Sequence, residues 1–249
     1  MDFTTGIIIW ICVVAFAASF TQSLTGFGFA VICTPLLSVF LPVKTGIAVS
    51  TLCGGATTVP MIIALRRHIL WKPVLVLVLS ALPGIWLGAK LLSDVPAAWI
   101  AGVMGLILVA LGLFQLRDGR VPEAWRGRWL DMVCGFLSGA IGASTAAAGP
   151  PIIAYTSLQA WDVRETKAVM NVYFLLQALV VIPVYWAHGL LTREAGITCA
   201  WAAPFVAVGL VCGMWLSYLL RDRMLLMRRI IYATVLLLGI YMIAKAFWP

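Results

Sequence analysis

Four stretches of this chain, 7–25, 74–89, 97–116 and 230–244, contain no acidic or basic residue. A helix needs about 20 apolar residues to cross the hydrocarbon of a bilayer. These runs therefore read as membrane-spanning helices. Only 10% of the residues are charged and 63% are hydrophobic, whereas soluble domains carry about 25% charged residues. One water-soluble core cannot hide that much apolar surface in 249 residues. The net charge of +8 would suggest nucleic-acid binding on a soluble protein. Here the basic residues sit in short loops, where they set orientation. Trp71, Trp99, Trp129, Trp161, Trp186 and Trp248 fall near segment ends, as in the aromatic belts of membrane proteins. Asp2 and the lack of a basic leader predict that the first segment is retained.

The two sides of the polar stretch 117–131 resemble each other. Phe20, Gly26, Ala30 and Pro35 match Phe136, Gly142, Ala146 and Pro151 at one spacing. His68 matches His188, and the pair Gly84 and Gly88 matches Gly209 and Gly213. The ordered series predicts an internal duplication. It divides the chain into a first repeat at 1–116, a linker at 117–131 and a second repeat at 132–249. Basic residues concentrate at Arg66, Arg67 and Lys72, at Arg117, Arg120, Arg126 and Arg128, and at Arg221, Arg223, Arg228 and Arg229. The positive-inside rule places those three loops in the cytoplasm. Segment 45–65 then enters the cytoplasm and its counterpart 165–187 leaves it, so the halves are inverted. The expected fold class is all-α: a polytopic integral membrane protein of two inverted repeats with about five segments each.

Each repeat opens with a broken stretch. Gly26, Gly28 and Pro35 interrupt 16–41; Gly142, Gly149, Pro150 and Pro151 interrupt 132–158. The arm from 26 to 41 makes only about 24 Å of helix, less than the roughly 30 Å of hydrocarbon. The first two segments of each half therefore read as broken or re-entrant hairpins, with breaks at 26–28 and 142–145. Unwound backbone inside a membrane must be buried in protein or line a cavity. Inverted repeats with broken helices are a recurrent design of secondary transporters.

The candidate binding residues cluster at those breaks: Gln22, Ser23, Thr25, Gly26, Phe27 and Gly28 in one half, Gly142, Ser144, Thr145 and Tyr155 in the other. Thr51, Asn171 and Gln177 on the following segments join them, as does Arg164 at the start of 165–187. These groups are neutral apart from Arg164, and many can donate hydrogen bonds. With exposed helix N-termini they suit an anion. The acids all fall in loops or termini, so a cation site of the usual kind is not expected. Arg164 and Lys167 stand where an anion would enter, and the same residues serve equally as positive-inside anchors. His68 and His188 read as interfacial residues. The six cysteines lie in apolar segments without a C-x-x-C pair and read as packing residues. No metalloprotease or Walker motif is present, so no enzyme, cofactor or metal is expected.

The stretch from Gln22 to Ala30 (QSLTGFGFA), with Thr34 to Leu37 (TPLL), is similar to the first signature of the TauE/SafE sulfite exporter family. Gly135 to Gly142 (GFLSGAIG) and Gly149 to Ile153 (GPPII) resemble its second signature, and Arg164 stands where the family tends to place an Arg. The resemblance implies a multi-pass transporter in a bacterial inner membrane, moving sulfite, organosulfonates or related anions. The implied partners are such an anion and the lipid bilayer, with no nucleic acid; monomer and homodimer both remain open. A passive anion channel, or a membrane assembly or sensory protein without transport, are the alternatives.

Overall fold

The computed structural model describes residues 5–116, 128–219 and 224–247. Among them lie ten α-helices: α1 (Thr5–Thr25), α2 (Phe29–Leu37), α3 (Val43–Leu65), α4 (Trp71–Asp94), α5 (Ala97–Leu116), α6 (Arg128–Thr145), α7 (Gly149–Ser157), α8 (Val163–Ala187), α9 (Arg193–Leu219) and α10 (Met224–Phe247). Seven of these, all but α2, α6 and α7, are long and apolar enough to cross a membrane. The chain is a multi-pass helical membrane protein. Much of the linker, 117–127, lies outside the described residues, as do Arg221 and Arg223; the linker's last residues, 128–131, are already helical.

Local chemistry sets several helix ends. Gly28, at φ +107°, is the N-cap of α2, in a region that L side chains rarely adopt. Pro150 and Pro151 occupy the first turn of α7, where a missing N–H leaves no gap in the ladder. Asp162 and Glu165 form a reciprocal capping box at the start of α8, with bonds of 2.7 and 2.9 Å. The Glu165 N–H holds the Asp162 carboxyl below its ordinary range. Pro35 does not interrupt its segment as expected: it lies inside α2. Membrane helices accommodate proline because neighbouring groups satisfy the carbonyl it frees.

Between long helices, small residues replace apolar bulk as the packing device. A methyl group on Gly84 would lie 2.9 Å from the Ala140 nitrogen, and one on Gly88 2.9 Å from the Ala140 carbonyl carbon. Gly135 and Gly139 return the fit against Leu77 and Ala81. Hydrocarbon tails are as apolar as Leu, so close backbone contact is what favours helix association over lipid. The numbering ascends together on both sides, so α4 and α6 run parallel. The same arrangement joins α1 and α9: a methyl group on Gly209 would come within 2.5 Å of the Phe16 oxygen, and one on Gly213 within 2.6 Å of the Phe20 oxygen. Helices α5 and α10 run antiparallel, with Gly102 beside Ala246 and Gly112 beside Leu236. Helix α3 packs on α8, with Gly55 against Ala178 near the middle of each. The 3-10 turn 66–68 after α3 lies against α8, with His68 in electrostatic reach of Asp162. Outward faces carry exposed apolar side chains such as Leu79, Leu106, Val211 and Leu237, which suit lipid. Cys12, Cys33, Cys53 and Cys134 are buried, Cys199 and Cys212 half-buried, and all six are free.

Candidate functional site

Two helix breaks create the site. At the first, α1 ends at Thr25, Gly26 takes φ +88° and Gly28 opens α2. The Gly26 N–H donates to the Gln22 carbonyl at 2.7 Å. Thr25 Oγ1 donates to the Thr21 carbonyl at 2.9 Å and accepts the Phe27 N–H at 3.4 Å. The second break repeats this pattern. The Ala146 N–H donates to the Gly142 carbonyl at 2.8 Å. Thr145 Oγ1 donates to the Ile141 carbonyl at 2.8 Å and accepts the Ala147 N–H at 3.3 Å. Ala146 carries φ +61°, a left-handed conformation that is uncommon outside glycine. The break is thus 146–148, not 142–145 as the sequence suggested, and Gly142, Ser144 and Thr145 belong to α6. Glycine pointed to Gly142; the position that takes the unusual backbone is an alanine. Thr25 and Thr145 thus hold like positions at the two breaks, a spacing four residues longer than that of the Gly26–Gly142 match.

The tips meet at a cavity of about 70 Å³. A single water needs about 10–15 Å³ measured this way, so the space suits an anion of a few heavy atoms. The first tip contributes Gln22 and 27–31; the second contributes Gly142 and 146–149. Helices α3 and α8 line it with Ser50, Thr51, Gly54, Gly55, Thr58, Phe174, Gln177, Ala178 and Val181, all near their midpoints. Among the described residues, no acid or base lines it.

Of the predicted residues, Gln22, Phe27, Gly28, Thr51, Gly142 and Gln177 line the cavity. Thr25 and Thr145 lie outside its lining and shape the breaks. Ser23 donates to the Phe20 carbonyl and sits under Gly213, so it serves the α1–α9 contact. Ser144 and Thr145 line a separate apolar hollow with Leu91, Val95, Trp99, Ile100 and Val103. Tyr155 is buried with its ring against Trp161, outside the cavity lining. Arg164 is exposed in the first turn of α8 and also outside it. Asn171 is fully buried and donates to the Gly26 carbonyl at 3.1 Å and the Lys167 carbonyl at 2.8 Å. It fastens the first break to α8, and its Oδ1 has no partner among the described residues. Gly26, whose carbonyl Asn171 holds, turns the backbone at the tip and is not part of the lining.

Sequence reasoning missed Ser50, Thr58 and Phe174, which become neighbours of the breaks only through α3–α8 packing. It also missed what α8 does to both tips. Lys167 Nζ donates to the Leu24 carbonyl at 2.9 Å, capping the C-terminal end of α1. Farther along, Gln177 Nε2 donates to the Ser138 carbonyl at 3.0 Å, and Tyr185 Oη to the Ala143 carbonyl at 2.6 Å. At the far end of α2, Lys245 of α10 donates to the Ser38 carbonyl. A cation there complements the negative end of the short helix, whose positive end faces the cavity. Among the described residues, no cluster of His, Cys, Asp or Glu could hold a metal ion.

Compared with known proteins, a family model described as Sulfite exporter TauE/SafE matches residues 11–242, nearly the whole chain. No curated protein and no solved structure matches it.

Proposed function

The chain belongs to the Sulfite exporter TauE/SafE family, and from that premise we propose that it is a secondary transporter for small sulfur-containing oxyanions, sulfite or organosulfonates, in a bacterial inner membrane. The observation that carries the reading is the neutral cavity where the two helix breaks meet, halfway along α3 and α8. Backbone unwound at such a place gives a substrate polar groups that lipid cannot supply. Among the described residues the lining offers amide and hydroxyl groups and no carboxylate, which favours an anion over a cation.

In this reading α1–α5 and α6–α10 are inverted repeats, and access alternates as one half rocks against the other. Several features support the inversion. Gly84 and Gly88 approach Phe136 and Ala140 as Gly209 and Gly213 approach Phe16 and Phe20. Thr25 and Thr145 make the same pair of bonds. Helices α3 and α8 lie side by side, with 66–68 at the end of one near Asp162 at the start of the other. Counterflow in liposomes tests the proposal. Vesicles holding purified protein and unlabelled sulfite should draw in labelled sulfite faster than empty ones. Flux without that trans-stimulation would identify a passive channel, and no flux at all would dismiss transport of this anion.

A further inference from the structure

The two tips repeat each other's turn but not each other's chemistry. We infer that the anion is held by the first tip alone, on the N–H groups of Ala30 and Val31 and on Gln22 Nε2, with Lys167 supplying positive charge from behind the turn. The second tip closes on it as an apolar wall. This inference rests on the anion-transport reading above and says which half carries the cargo.

The donors decide it. Helix α2 begins at Phe29, whose N–H is taken by Gln22 Oε1 at 3.0 Å. That bond fixes the orientation of the Gln22 amide, so its Nε2 is the group left over. Gln22 is only 3% exposed and lines the cavity, and its Nε2 has no partner among the described residues. The N–H groups of Ala30 and Val31 are first-turn donors without a carbonyl behind them, and both residues line the cavity. Three donors and the positive end of a nine-residue helix therefore converge on one side.

The second tip lacks each of these. In the shared register Phe29, Ala30 and Val31 correspond to Gly149, Pro150 and Pro151, so two of the three N–H groups do not exist. Gly142 stands where Gln22 stands. Gln177, the amide nearest this tip, spends its nitrogen on the Ser138 carbonyl and keeps an acceptor oxygen. Thr51 and Thr58 donate their hydroxyls to Ile47 and Gly55 of their own helix. Gly149 keeps the one remaining first-turn N–H on that side, and the rest of it is Ala146, Ala147, Ala148, Phe174, Ala178 and Val181.

Charge follows the same asymmetry. The Lys167 stem lies against the first turn, where a methyl group on Gly26 would come within 2.9 Å of its Cγ. Its ammonium binds the Leu24 carbonyl, three residues before Phe27 of the cavity wall. The corresponding residue on α3 is Ile47, fully buried. Lys167 is thus a positioning residue that acts through the turn without touching the anion.

Binding of radiolabelled sulfite to the full chain in nanodiscs tests this, with methanesulfonate as a singly charged competitor. Gln22→Glu keeps an acceptor for the Phe29 N–H but replaces the free donor with negative charge; it should weaken sulfite binding at least about tenfold. Ala30→Pro copies the second tip into the first and should also weaken binding about tenfold. Pro150→Ala should leave binding unchanged. At a pH where sulfite is doubly charged, Lys167→Gln should weaken sulfite more than methanesulfonate, and Lys167→Arg should restore it. Wild-type protein that binds while Gln22→Glu binds equally well overturns the tip assignment alone. Equal weakening of both anions by Lys167→Gln would mark Lys167 as a structural cap only. A wild type that binds neither anion removes the anion reading itself. Thermal unfolding of each variant separates lost binding from lost fold.

Discussion

Replacing Gly88 by Ala sets a methyl group against the Ala140 carbonyl, 2.9 Å from its carbon. Ordinary carbon contacts lie at about 3.5–4.0 Å, so α4 and α6 must part by roughly 1 Å there. Neither partner can turn aside, because the obstructing atoms are backbone. The separation also loosens the neighbouring approaches of Gly84, Gly135 and Gly139, which belong to the same interface. Overpacking of this kind costs about 1–3 kcal/mol, and the better helix propensity of Ala returns up to about 1. A net loss near 2 kcal/mol corresponds to about 4–8 °C for a chain of this size. The assay is thermal unfolding of purified protein in detergent, followed by size-exclusion profile. Gly213→Ala should show a similar loss, since its methyl group would meet the Phe20 oxygen at 2.6 Å. Gly196→Ala is the control: nothing lies within 4 Å of that position inside α9, so it should hold or gain stability. If Gly88→Ala matched Gly196→Ala, backbone contact between small residues would not be what holds these helices together.

Thr145→Val removes the oxygen that accepts the Ala147 N–H, so it should reduce anion flux severalfold; Ser144→Ala, outside the cavity, should leave flux unchanged. Loss of flux in Ser144→Ala and not in Thr145→Val would overturn the part given to Thr145 at the break. Reporter fusions at 66–72 and at 189–192 should report cytoplasmic and external locations respectively. An external 66–72 loop would remove the inverted arrangement.

Much of the architecture was legible before any coordinates. Uncharged runs of membrane length exist only to cross hydrocarbon, so 97–116 announces α5 without tertiary information. Glycine announced the first break, and Gly26 and Gly28 do take positive φ there. The second break was placed wrongly for the same reason: Gly142 is a glycine for packing, with Gln177 and Ala148 pressed against it, while Ala146 bends. A lone sequence does not distinguish a glycine that turns from one that makes room.

The sequence by itself determined that this chain lives in a bilayer and that its interior lacks acids. It also supplied Gln22 and the broken segments as places where polar groups enter hydrocarbon. Tertiary structure alone decided which of those groups meet. Ser23, Ser144, Tyr155 and Arg164 lie close in sequence to the breaks yet leave the cavity, because helix rotation turns them to other partners. Asn171, Lys167 and Ser50 come from helices packed across the tips. The difference between the tips is tertiary too. Pro150 and Pro151 are plain in the sequence, but they count against the second tip only once the start of α7, at Gly149, is seen to face the same space as the start of α2. Hydrogen-bond donors act over a few ångströms, and chain order does not fix distances of that size.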